Sequence, residues 1–197
     1  MCLPLTIENI EEQHKKVLKS VNYGKEYLLI NDIIKSTPLN NDIQQIALKI
    51  ALIDTTNSTN INKYKEKISL YDLALNIKSI ENFDTRVKNG DLSLVSELAF
   101  KNQKINLFSF ATKYCCYHNV CAYDNDDYFI FDNILKKHLH LYIPTATKNK
   151  LENLRSHRDY ETYHKLLSDY LLENNINCEF KRRKFDHFVW NQFRKKS

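Results

Sequence analysis

Two glycines (Gly24, Gly90) and three prolines (Pro4, Pro38, Pro144) are all that 197 residues contain, and that scarcity limits the fold more than any other feature. Sandwiches and barrels reverse direction every few residues. Their turns draw on glycine, proline and asparagine for backbone conformations that other residues adopt only at a cost. Asparagine is plentiful here but glycine is not, so the expected fold is all-α: one compact helical domain over residues 1–197, its helices joined by short polar loops. Hydrophobic residues make up 43% of the chain, enough for a single sizeable core at this length.

The N-terminus, Met1-Cys2-Leu3-Pro4, leads into Glu8, Glu11 and Glu12 without a basic segment and apolar stretch, so no secretory signal is expected. No apolar run approaches the roughly 20 residues that cross a bilayer, and no membrane partner is expected. Five cysteines, an odd number with Cys115 and Cys116 adjacent, do not make a disulfide framework. The expected setting is reducing cytoplasm. The net charge of +5 is moderate, but Lys181, Arg182, Arg183, Lys184, Arg194, Lys195 and Lys196 crowd the C-terminus against Asp186 alone. A clustered basic end suits a polyanion, because each neutralised phosphate releases counterions.

Apolar residues fall at helical spacing through Ile43, Ile46, Ala47, Ile50 and Ile53, with Asn40 or Asn41 as the expected N-cap after Pro38. The stretch Asp54-Thr55-Thr56-Asn57-Ser58-Thr59-Asn60 has no apolar residue and reads as an exposed loop. Helical spacing resumes through Ile68, Tyr71, Leu75 and Ile80. Asn89-Gly90 is a turn, and Asp91 is the expected cap of a short helix carrying Leu92, Val95, Leu98 and Ala99. After the polar connector Lys101-Asn102-Gln103-Lys104, a second helix holds Leu107, Phe110, Ala111, Tyr114 and Tyr117, completing a helical hairpin. An acidic loop, Asp124-Asn125-Asp126-Asp127, precedes the aromatic run Tyr128-Phe129-Ile130-Phe131. Asp132 then opens a helix with Ile134, Leu135, His138 and Leu139 on one side. Two further helices are expected over about 159–172 and from about 180, the latter the basic C-terminal helix.

The segment Ser109-Phe110-Ala111-Thr112-Lys113-Tyr114-Cys115-Cys116, followed by Tyr128-Phe129-Ile130-Phe131-Asp132, carries the functional signal. Lys113 lies on the second helix of the hairpin, and Asp132 starts the next helix nineteen residues later. This arrangement, over about residues 90–140, resembles the helix-hairpin-helix DNA glycosylases, in particular the 8-oxoguanine glycosylase branch, in which a Gly-x-Gly-Thr-Lys segment precedes an aspartate at the same separation. It is also similar to small bacterial proteins of this core found near phage-defence genes, whose terminal Asp-x-x-x-Trp is matched by Asp186 and Trp190. The chain departs from the pattern at Ser109 and Ala111, where the family has hairpin glycines, and at Ile130, where it has proline.

The resemblance implies a glycosylase-like helical core that excises a damaged or modified base, such as 8-oxoguanine or a base modified in phage DNA, and that acts as an abasic-site lyase. Lys113 would be the nucleophile, attacking the anomeric carbon to form a Schiff base. Asp132 would stabilise positive charge on the sugar and handle protons. Asn60, Lys104, Ser109, Thr112, Arg182 and Arg183 would contact DNA, with Asn60 in a loop that fills the gap left by the flipped base. Tyr114, His118, Tyr128, Phe131 and Trp190 would line the base pocket. The partner the resemblance implies would be double-stranded DNA, and it implies no cofactor or metal. Two other classes remain open: a helical module that binds nucleic acid without chemistry, and a protein–protein scaffold.

Metal and nucleotide sites are not expected. Cys115, Cys116, His118 and Cys121 are close in sequence, but adjacent cysteines on one helix cannot easily share a zinc, and Cys178 stands alone. The iron–sulfur branch of the same superfamily needs four cysteines near the C-terminus, and one is present. The Asp124–Asp127 loop lacks the central glycine and terminal glutamate of a calcium loop. No glycine-rich phosphate loop is present.

Overall fold

The computed structural model describes residues 2–194 apart from Asn22, Ser58, Asn60, Lys65 and Gln103. Among these residues the chain is all-helical, with eleven α-helices and no strand: α1 (Ile7–Leu18), α2 (Tyr23–Ser36), α3 (Ile43–Asn57), α4 (Leu70–Lys78), α5 (Phe83–Lys88), α6 (Ser93–Phe100), α7 (Phe108–Tyr123), α8 (Asn133–His138), α9 (Lys148–His157), α10 (Tyr160–Glu173) and α11 (Lys181–Phe193), with 3-10 turns at Ile61–Tyr64 and Leu139–Leu141. None of these helices is long and apolar enough to cross a membrane. The expected loop at 54–60 is shorter than its composition suggests, because α3 continues to Asn57. Thr56 Oγ1 donates to the Leu52 carbonyl, and Asp54 is buried, so these polar residues join the helix. Asp91 is one residue too early to be the formal cap of α6, although its carboxylate accepts from the Ser93 amide.

The core is organised around α7. Thirteen of its sixteen residues are buried, so it is surrounded rather than amphipathic. Helices α2, α3, α5 and α6 pack on it, and α1 packs along α11. Gly24 lets α2 start close against the end of α1, where a Cβ would strike the Leu18 carbonyl. Gly24→Ala is therefore expected to cost about 1–3 kcal/mol through overpacking. In thermal unfolding that is a drop of roughly 2–4 °C per kcal/mol for a chain of this size. Gly90, at φ +68°, follows α5 in the left-handed conformation that suits glycine.

The connection from α7 to α8 runs through the interior. Tyr128, Phe129, Ile130 and Phe131 are all buried and belong to no helix, so their peptide groups need partners. Side chains supply them. Tyr160 Oη accepts from the Phe129 amide (2.7 Å) and lies 3.0 Å from the Phe129 carbonyl, to which it donates. Tyr163 donates to the Ile130 carbonyl (2.8 Å), Thr112 Oγ1 accepts from the Phe131 amide (3.0 Å), and Ser109 donates to the Phe131 carbonyl (2.8 Å). Two tyrosines of α10 and two hydroxyls of α7 thus hold an extended run in place of a strand partner. That run delivers Asp132 to the start of α8.

Candidate active site

A cavity of about 470 Å³ opens where the end of α3, the first half of α7, the start of α8, α9 and the second half of α11 meet. Lys113 and Asp132 both line it, as do Ser109, Phe131, Asp186 and Trp190. The first turns of α7 position the lysine, and the side-chain-tied run before α8 positions the aspartate. Asp132 is also the N-cap of α8: its Oδ1 accepts from the Leu135 amide at 2.7 Å in extended backbone geometry. That bond fixes the carboxylate at the cavity wall.

Lys113 is 5% exposed. Its Nζ donates to the Asn57 carbonyl at 2.8 Å, the last residue of α3, where helix carbonyls lack intrahelical partners. Burial lowers the pKa of this amine, and the neighbouring carboxylates of Asp132 and Asp186 oppose that shift without cancelling it. A second buried lysine makes the contrast clear. Lys49 donates to the Thr37 and Leu39 carbonyls and ties down the loop between α2 and α3; burial takes it to about 8. It does not line the cavity.

Behind Lys113 lies a buried polar network. Arg183, 3% exposed, donates to Asp186 Oδ2 (2.6 Å), Tyr23 Oη (2.6 Å) and Tyr117 Oη (2.8 Å). Tyr117 in turn donates to Asn57 Oδ1 (2.8 Å). Burial raises the carboxyl of Asp186 and Asp132 adds to this, while Arg183 and Lys113 oppose it, leaving the group at about 7. His187 also faces the cavity. It sits 2.8 Å from His14 through their Nδ1 atoms, and burial keeps it well below its ordinary pKa.

Several expected site residues lie elsewhere. Tyr114 and His118 are fully buried on the side of α7 facing the loop before α3. Tyr114 Oη donates to Asn40 Oδ1, and the His118 ring stacks on the Tyr114 ring. Tyr128 is core as well, its hydroxyl donating to the Asp91 carbonyl. None of the three lines the cavity. Thr112 is fully buried and its hydroxyl is engaged with the Phe131 amide and the Ser109 carbonyl, so it is a brace rather than a DNA contact. Arg182 binds the Asp126 carbonyl and lies over the Phe129 ring, and Arg183 points into the core. Both were expected to meet phosphate, and both are tied to the protein instead. Lys104 is exposed in the α6–α7 connector, and Asn60 lies outside the described residues, as do Lys195 and Lys196.

Other members of the site come from distant helices: Tyr23 from α2, Asn57 from α3, Lys63 and Tyr64 from the turn after it, Arg155 from α9. The acidic loop has a structural use, since Asp126 accepts from the Arg182 and Arg183 amides and caps the start of α11. Cys115, Cys116 and Cys121 are buried among apolar neighbours, and burial pushes their thiols up. Among the described residues no group of three or more histidine, cysteine or acidic side chains could hold a metal ion.

The family model described as HI_0787_N, N-terminal domain, matches residues 7–127, and the chain belongs to this family. The matched stretch contains Lys113 and Asn57 and ends before Asp132, Asp186 and Trp190. An uncharacterized protein of Haemophilus influenzae is 28% identical over 143 residues, covering 71% of this chain and 64% of that protein's length. The chain therefore spans less than two thirds of this relative. No solved structure matches this chain.

Proposed function

We propose that the protein is a DNA glycosylase with abasic-site lyase activity, acting on a damaged or modified base turned out of double-stranded DNA. The observation that carries this reading is the meeting of Lys113 and Asp132, nineteen residues apart in sequence, on the walls of one cavity. A surface lysine stays protonated and is a poor nucleophile. Burial favours the neutral amine of Lys113, which is the form that attacks carbon. Breaking an N-glycosidic bond builds positive charge on the sugar, and a carboxylate held rigidly by a helix cap is suited to oppose it.

The cavity volume falls in the range of small-molecule sites. Phe131 is buried beneath the cavity wall, and the half-buried Trp190, held between the Tyr23 ring at 4.8 Å and the Arg194 guanidinium, is the aromatic side chain against which a base can rest. Lys63, exposed at the cavity, provides a cation for a flanking phosphate, whereas Arg155 is held by Glu152. In this scheme the neutral Lys113 amine bonds to C1′ as the C1′–base bond breaks; the bonding pair leaves with the base, which takes up one proton shed by the nitrogen. The C1′–O4′ bond then breaks to give the Schiff base, the nitrogen's second proton passing to O4′, and loss of a C2′ proton with cleavage of the C3′–O bond releases the 3′ phosphate and cuts the strand.

The test needs no knowledge of the base. Purified protein is incubated with a duplex carrying one abasic site, and borohydride is added to reduce any Schiff base. A covalent protein–DNA adduct is expected. If no adduct forms across pH 5–9, the proposal fails.

A further inference from the structure

The cavity holds more charge than one amine and one carboxylate require. Asp186 lies one helical turn from Arg183 on α11, and the two form a buried ion pair at 2.6 Å. Isolated buried charges are costly, and such a pair is no dependable source of stability. Its placement suggests a use. Asp186 lines the same cavity as Lys113, and Arg183 fixes Asp186 while bonding Tyr23 of α2 and Tyr117 of α7. Tyr117 then holds the Asn57 side chain, whose backbone carbonyl holds Lys113. The amine and the ion pair are two ends of one hydrogen-bonded chain.

We infer that the Arg183–Asp186 pair is a positioning device for Lys113: Asp186 favours the ammonium form of the amine, Arg183 anchors Asp186, and together they set the pH at which Lys113 becomes a nucleophile. This rests on the glycosylase–lyase reading for its purpose. In a buried cluster each charge acts through a low effective dielectric, so one carboxylate more or less is felt strongly.

The other groups facing the pair do not compete near neutral pH. Tyr23, Tyr117, Tyr163 and Cys116 are pushed up by burial. His187 is pushed down, and Arg183 stays charged despite its burial because its partners hold the cation. Asp132 and Asp54 are the remaining carboxylates acting on the amine. Burial raises the Asp186 carboxyl toward the range where the amine would be used, and the two protonations are coupled.

The test reads the amine directly. The Cε resonance of Lys113 is followed by NMR in protein containing ¹³C-lysine and assigned by its loss in Lys113→Gln. In the wild-type protein it is expected to move in two steps, one of them near pH 7 as Asp186 titrates. Asp186→Asn, which keeps the shape and an acceptor for Arg183, is expected to remove that step and lower the amine's midpoint by about one pH unit. Asp186→Glu is expected to restore both. The acidic limb of abasic-site trapping should shift in the same direction in Asp186→Asn. A single wild-type step with a midpoint unmoved by Asp186→Asn overturns the inference, and the single wild-type step alone does so if the variant does not fold. If the resonance responds to Asp186 but the wild-type protein traps no abasic DNA, the electrostatic coupling stands and the glycosylase reading falls.

Discussion

Lys113→Gln is expected to abolish the borohydride adduct and, in the same protein, to raise the melting temperature. The first outcome follows from chemistry: an amide cannot form a Schiff base. The second follows from the cost of keeping a cation at 5% exposure. Burial lowers the amine's pKa in the folded protein, so between the folded value and the ordinary one the unfolded chain binds more protons than the native one. Stability therefore rises as pH climbs through that window, and at lower pH the full destabilising effect of the lysine is present. Glutamine removes it. A gain of about 1 kcal/mol is the usual size for relieving such a functional strain, which corresponds to roughly 2–4 °C in this chain. Calorimetry at pH 7 together with adduct formation on abasic duplex checks both halves. An adduct that persists in the variant would assign the nucleophile to another amine, with Lys63 the first to examine. A lower melting temperature would mean that the ammonium is held by net favourable ion pairing.

The reactivity of Lys113 and its cost to stability would share one cause. A site that needs a neutral amine obtains it by withholding water, and withholding water destabilises the fold. The rest of the molecule offsets the cost with tightly satisfied polar contacts around the site. Ser109 and Thr112 illustrate this. Their hydroxyls fasten the buried run that ends at Asp132.

The sequence was legible where a regular period or a fixed spacing carried the signal. Helices α3, α6, α7, α10 and α11 follow apolar residues at intervals of three and four; in α4 the expected stripe was the wrong face, since Tyr71 and Leu75 are exposed and Leu73, Ala74 and Ile77 are buried. The polar-loop reading of 54–60 was too long because buried Asp54 and the back-bonded Thr56 continue α3. In α1 the buried stripe is Ile10, Gln13 and Val17, a helix whose pattern is broken by one polar member. In α9 only Leu151 and Leu154 are buried, too few to give a period. The spacing of Lys113 and Asp132 placed both on the cavity. Tyr23, Asn57 and Arg155 reach it from helices remote in sequence, and no local pattern connects them. The basic C-terminus misled for a simple reason: a run of charges does not reveal which side of a helix each one occupies. Arg183 and Asp186 fall at i and i+3 beside the buried Phe185, Phe188 and Val189, and that spacing was the available sign that they face inward.

Arg183→Ala is expected to be the most destabilising single change in the network, and its pH dependence identifies the cause. The substitution leaves Asp186 without its cation and takes a donor from Tyr23 and Tyr117. Removing one partner of a buried ion pair costs about 3–5 kcal/mol, or roughly 6–20 °C in a chain of this length. The carboxyl of Asp186 is already at about 7 in the intact network, raised first by burial. Its folded value lies above the unfolded one, so the native state holds the extra proton between them, and stability falls as pH rises through about 7. Without Arg183 the folded value climbs further and the fall continues to higher pH. The difference in melting temperature between wild-type and Arg183→Ala should therefore be greater at pH 8 than at pH 5, where Asp186 is protonated and the lost cation matters less. Adding Asp186→Asn to the alanine variant should recover much of the loss at pH 8 and little at pH 5. Equal losses at both values, unrelieved by the second substitution, would trace the effect to the packing of the arginine against Tyr27 and Tyr117 and leave the charge of Asp186 with no part in it.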